Sequence, residues 1–142
     1  MESTLRSLPA LVEFVRAAPL AVVATVNPDG APEAALVSIA ITHDGDLLFN
    51  SSASARKVSN IGDGARVALV VGCAGPVSLQ IEGRATVQSG AARIAAGEIY
   101  NGAFPGSRAL AAGFSIVRVV PEWIRQYDTA VEPPSVEEGR PG

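Results

Sequence analysis

Histidine and cysteine are nearly absent from this sequence, with one of each in 142 residues. A single cysteine excludes an internal disulfide framework and any zinc site built from clustered thiolates. A single histidine excludes a multi-histidine metal centre within one chain. A Ser–His–Asp triad on His43 would need a distant serine delivered to a turn. Basic residues are scarce too. The 11 Lys+Arg stand against 14 Asp+Glu, a formal net charge of -3, which excludes the cationic surface of a general nucleic-acid binder. No apolar run reaches the roughly 20 residues that span a bilayer. Met1-Glu2-Ser3-Thr4 lacks the basic stretch of a secretory leader. The expectation is a cytoplasmic protein with no nucleic-acid or membrane partner.

What is present argues for a packed core. Hydrophobic residues make up 48% of the chain and charged residues 18%, which is not the composition of a disordered chain. The length fits one domain, placed at residues 1–128. Residues 129–142, with three prolines and three glutamates, are expected to form a flexible tail.

Leu8, Leu11, Val12 and Val15 recur at the spacing of one helix face, which predicts a helix over residues 8–17. Ser7 suits its N-cap, Pro9 its first turn and Pro19 its end. From residue 20 the period becomes that of strands. Strands are predicted over residues 20–26, 32–41 and 47–50, joined by the turn Asn27-Pro28-Asp29-Gly30 and the hairpin signal Asp44-Gly45. Others are predicted over 66–72, over 77–87 with Gly83 as a bulge or bend, and over 114–120. A last one is expected after Pro121, where Trp123, Arg125 and Tyr127 alternate with Ile124 and Gln126. A short helix capped by Ser54 and ending before Gly62, and a second over 91–100, complete the pattern. The fold class is therefore mainly β, six or seven antiparallel strands with flanking helices, arranged as a β-barrel or a sandwich. Neither the Rossmann nor the P-loop glycine pattern occurs.

Residues 50–57 concentrate polar chemistry. A strand delivers Asn50, Ser51 and Ser52 to its end, a helix starts near Ser54, and Arg56 and Lys57 fall in its first turn. Cations there oppose the helix dipole, whereas a phosphate would satisfy hydroxyls, amides and both cations together. A solvent-exposed Arg-Lys pair on a surface helix fits these residues as well. The segment Ala35, Leu36, Val37, Ser38 and Ile39 carries small residues on both faces, which would let a flat ring approach the backbone. By periodicity alone, a close-packed interior or dimer-contact strand fits it better. Cys73 reads as a buried or interfacial thiol with no base to activate it, and His43 as an exposed turn residue poorly placed to ligate haem.

An ordered set of segments carries a resemblance. These are Val22-Val23-Ala24-Thr25-Val26-Asn27-Pro28-Asp29-Gly30-Ala31-Pro32, Asp44-Gly45-Asp46-Leu47-Leu48-Phe49-Asn50, Ser54-Ala55-Arg56-Lys57-Val58-Ser59-Asn60-Ile61 and Ala65-Arg66-Val67-Ala68-Leu69-Val70, followed by Gln80-Ile81-Glu82-Gly83 and Val120-Pro121-Glu122-Trp123-Ile124-Arg125. Together they resemble the pyridoxamine 5'-phosphate oxidase-like family of FMN-binding split barrels over roughly residues 10 to 128. The resemblance implies a homodimer with FMN at the interface and a small-molecule substrate. It implies that Arg56 and Lys57 hold the FMN phosphate, with Asn50, Ser51, Ser52 and Ser54 beside it. It lays the strand from Ala35 to Ile39 against the isoalloxazine ring, brings Ser78 and Gln80 to the partner's cofactor, and sets Trp123 as a candidate wall of the cleft. Ala55 stands where such proteins usually carry a serine, and the C-terminal segment has Arg125 but no histidine, so vitamin B6 oxidation itself is not implied. The expected function is that of a flavoprotein oxidoreductase. The alternatives are a deazaflavin-dependent reductase of the same fold, or a non-catalytic FMN-binding, stress-associated protein.

Overall fold

Strict inside–outside alternation turns most of the apolar segments into strands of one curled antiparallel sheet. The computed structural model describes residues 7–141. Helix α1 (Leu8–Ala17) is followed by β1 (Leu20–Val26), β2 (Pro32–Ser38), β3 (Ala40–Ile41), β4 (Leu47–Ser52), α2 (Arg56–Ile61), β5 (Ala65–Val71), β6 (Val77–Val87), α3 (Gly90–Ala103), β7 (Phe114–Asp128) and β8 (Ser135–Gly139). The strand order is β2-β1-β5-β6-β7-β4-β3, with β8 added on β7. The mainly-β barrel expectation holds, with eight strands in place of six or seven.

The inner face of the sheet wraps a core of Phe49, Leu47, Leu69, Leu79, Ile81 and Ile124, all fully buried. Helix α1 closes this core with Leu11, Val12 and Val15, and α2 contributes Ile61. Ser7 caps α1 as expected, its hydroxyl accepting from the Ala10 amide at 3.2 Å. Helix α3 covers the opposite face of β3, β4 and the start of β7, where Ala96 and Tyr100 pack on Ala40, Leu48 and Ile116. The outer face of β2, β1 and β5 has no such cover among the described residues. It exposes Leu20, Leu36, Val26 and Val70, with Leu36 66% accessible, and Val22 pairs with both Leu36 and Val70 across the strands.

Several expectations are corrected. The strand expected over residues 32–41 breaks at Ile39: its amide still donates to the Pro19 carbonyl at 2.7 Å in the β1–β2 register, but Pro19 has no N–H to return and the ladder ends there. The two strands expected on either side of Pro121 are one, β7. Proline lacks a ladder donor, but Pro121 falls opposite Gly83 where the register shifts between Glu82 and Gly83, and this bulge absorbs the missing hydrogen bond. Gly83 is needed there, because a Cβ on it would lie 2.3 Å from the Val120 carbonyl oxygen. Ser54 does not cap α2. The N-cap is Ala55, with no side-chain bond, because the Ser54 hydroxyl pairs with that of Ser52 at 3.0 Å. Of the two readings of Cys73, the buried one is corrected: Cys73 is exposed in the chain, since β5 ends at Val71 and Gly72, at φ +88°, turns the chain outward. The segment expected as a tail contains β8, which pairs with the half of β7 that β4 does not reach, and Arg125 meets Glu138 at 3.5 Å.

Replacing Gly83 with alanine should lower the unfolding free energy by about 2–3 kcal/mol, because the added methyl cannot enter the bulge without moving backbone. Urea unfolding with an unchanged m-value is the check.

Candidate functional site

The sheet order runs from β2 to β3, so β2 has no strand on its far side among the described residues. Helix α2 packs against β1, β5 and β6 and reaches β2 through the side chains of Asn60 and Arg56, which meet Glu33. Between α2 and β2 lies a cleft of about 230 Å³ lined by Val23, Thr25, Glu33, Ala34, Ala35, Arg56 and Lys57. The hairpin turn Asn27–Gly30 sets the register that places Thr25 opposite Glu33. The Asn27 carbonyl oxygen Oδ1 accepts from the Asp29 and Ala31 amides, both at 3.0 Å, and Gly30 takes φ +83° as that turn requires.

Glu33 occupies a strand position whose alternate neighbours, Ala35 and Val37, face inward. A carboxylate there needs donors, and three residues supply them. Asn60 Nδ2 donates to Glu33 Oε1 at 3.0 Å and to Thr25 Oγ1 at 2.9 Å. Asn27 Nδ2 donates to Oε2 at 3.1 Å, and the Arg56 guanidinium closes an ion pair on the same oxygen. The Asn60 amide, then that of Asn27, holds the Glu33 carboxyl below its ordinary 4.5. Partial burial works against them, and the Arg56 charge adds to the lowering. Lys57 forms no ion pair among the described residues. The cleft therefore carries two positive charges and one negative, beside two alanines that leave the strand backbone accessible.

The other sequence-predicted positions are distributed differently. Val37 and Ile39 are buried in the core, while Leu36 points to the open outer face. The Ser38 carbonyl accepts from the Tyr100 hydroxyl at 3.0 Å, and burial pushes that phenol's pKa up. Ser51 is buried, its hydroxyl turned to the Ser52 carbonyl at 3.3 Å, whereas Ser52 and Ser54 are exposed and bonded to each other. Asn50 lies half-buried opposite Ile116. Ser78, Gln80 and Trp123 sit on the outer face of β6 and β7, with Gln80 opposite Arg125 and Glu82 opposite Trp123. They do not line the cleft of their own chain. Only Ala35, Arg56 and Lys57 of the predicted set do so. Glu33, Asn60, Asn27 and Thr25 escaped sequence reasoning as site residues. The available signal was an acid at an inward strand position, opposite a threonine across a recognisable turn. His43 is exposed in the turn before β4. Among the described residues no cluster of three or more His, Cys, Asp or Glu could hold a metal, and no helix is long and apolar enough to cross a membrane.

Comparison with known proteins adds a family and a fold. A family model described as Pyridoxamine 5'-phosphate oxidase matches residues 7–128. A search of curated proteins finds no match. Among solved structures, a protein of unknown function from Agrobacterium tumefaciens superposes with a TM-score of 0.75 at 19% identity, over 84% of this chain and 55% of its own. A pyridoxamine 5'-phosphate oxidase-related, FMN binding protein from Nostoc punctiforme superposes with a TM-score of 0.65 at 16% identity, over 94% and 93%. A heme binding protein from Mycobacterium smegmatis gives 0.72 at 18%, over 94% and 58%. The chain thus spans little more than half of the first and third of these proteins.

Because the folded Glu33 carboxyl titrates below its ordinary value, its network stabilises the fold above pH 4.5 and that contribution is lost as the pH falls through the depressed value. Asn60→Ala should move the Glu33 titration back up toward 4.5, read from its side-chain carboxyl ¹³C shift against pH.

Proposed function

Since the chain belongs to the pyridoxamine 5'-phosphate oxidase family, we propose that it binds FMN and works as a homodimeric flavoprotein oxidoreductase on a small organic substrate. The observation that carries this reading is the cationic cleft at the open edge of β2, with Arg56 and Lys57 on one wall and Ala34 and Ala35 on the other. The donor set fits a phosphomonoester. A guanidinium and an ammonium on adjacent residues give charge-assisted hydrogen bonds to its oxygens. The two alanines let a planar ring lie along β2, whose far edge has no strand partner among the described residues to compete for backbone hydrogen bonds.

Size argues for two copies. A cleft of about 230 Å³ is smaller than the roughly 300–1,000 Å³ of typical small-molecule sites. One chain would hold the phosphate end and leave most of the flavin uncovered. The exposed apolar face around Leu36 and Val70 offers the surface for a second copy, and that copy would bring Ser78, Gln80 and Trp123 from its own outer face to the ring. In this arrangement Arg56 and Lys57 anchor, the β2 backbone orients, and the partner's strands exclude water. Bound FMN would supply the hydride or electron exchange, which calls for no dedicated acid–base residue from the chain.

One feature favours a second reading, flavin carriage without turnover: Glu33, the one carboxylate lining the cleft, is held by Arg56 and two amides. Failure of bound FMN to be reduced by NAD(P)H or a reductase would select it. The same cationic cleft could accept a deazaflavin, and the ratio of the two affinities decides between cofactors.

Arg56→Ala combined with Lys57→Ala should raise the FMN dissociation constant at least about a hundredfold, with circular dichroism unchanged, as measured by flavin fluorescence titration. Leu36→Glu should convert the dimer to a folded monomer with weakened FMN binding, read by light scattering and the same titration.

A further inference from the structure

We propose that Glu33 is a built-in competitor for the cofactor's phosphate, holding Arg56 and thereby setting how tightly the cleft takes an anion. This rests on the flavin reading above. Among the described residues Arg56, of the two adjacent cations, is the one that meets a carboxylate, and that carboxylate lines the same cleft. The two partners are unequally fixed. Glu33 is 18% exposed and is gripped by Asn60 from α2 and by Asn27 from the β1–β2 turn. Arg56 is 79% exposed and, apart from Glu33, has no side-chain partner among the described residues.

An arriving phosphate therefore draws the guanidinium away, while the carboxylate stays in the wall of the cleft. Two costs follow for the anion: the Arg56–Glu33 pair is broken, and a fixed negative charge remains nearby. Packing does not explain the acid. The neighbouring inward positions hold Ala35 and Val37, and an apolar residue would bury there without needing three donors. The consequence is a cofactor held more weakly, and exchanged more readily, than its two cations alone would allow.

The test is the full-length Glu33→Gln protein titrated with FMN, and with riboflavin as the probe lacking phosphate, at one fixed ionic strength. The FMN dissociation constant should fall about tenfold, while that of riboflavin should change less than about twofold. Adding Arg56→Ala should remove most of the gain, since the two residues act through each other. Glu33→Ala carries the same expectation should the glutamine variant melt early. Unchanged or weakened FMN binding in a folded variant overturns the inference, as does an equal change for riboflavin. Inorganic phosphate, followed through the Arg56 Nε–Hε resonance, separates this inference from the reading it rests on. Tighter phosphate in Glu33→Gln with no FMN binding to either protein keeps the role of Glu33 and discards the flavin. FMN binding to the unaltered protein without tightening in the variant does the reverse.

Discussion

The first hairpin is tied to α2 by side chains and not by a strand ladder. Asn60 from α2 reaches both strands of the first hairpin at once, through Thr25 and Glu33, while Arg56 ties the same carboxylate to the first turn of that helix. A carboxylate at an inward strand position is tolerated only because its oxygens are met by donors from separate elements. This junction fixes the separation of the hairpin and α2, and with it the shape and charge of the cleft between them.

The remainder of the sheet supplies the frame. β7 pairs with β4 at its start, β6 along most of its length and β8 at its end, so its 15 residues join the two halves of the molecule. The bulge opposite Gly83 bends that long strand without ending it. The two outer regions of the sheet then differ in kind. One is covered by α3 through Tyr100 and Ala96, and the other presents Leu20, Leu36 and Val70 to solvent.

Local signals were legible in the sequence and tertiary ones were not. Helix α1 could be read fully, because Ser7, Pro9 and the spacing of Leu11, Val12 and Val15 all act within a few residues. The strands followed from alternation, and the Asn27–Gly30 turn from its own side-chain chemistry. The break at Ile39 carries no glycine or proline and depends on Pro19, twenty residues earlier. Pro121 reads as a stop, yet its missing donor falls at a bulge set by the partner strand. Ser54 reads as a cap and is diverted to Ser52. In the site, the Arg-Lys pair stood out from sequence, while its counterweight Glu33 lies 23 residues away and is met only through the fold.

The C-terminal strand also bears on how the molecule avoids polymerising. With β4 and β8 on one side of β7 and β6 on the other, the long strand offers little bare backbone. The exposed rim moves outward to β8, whose five residues include Glu137 and Glu138. A short acidic rim repels its own copy, so ladder-to-ladder stacking into fibres is discouraged at that border. The sheet thus keeps its charge at this border and its exposed apolar side chains on the outer face of β2, β1 and β5.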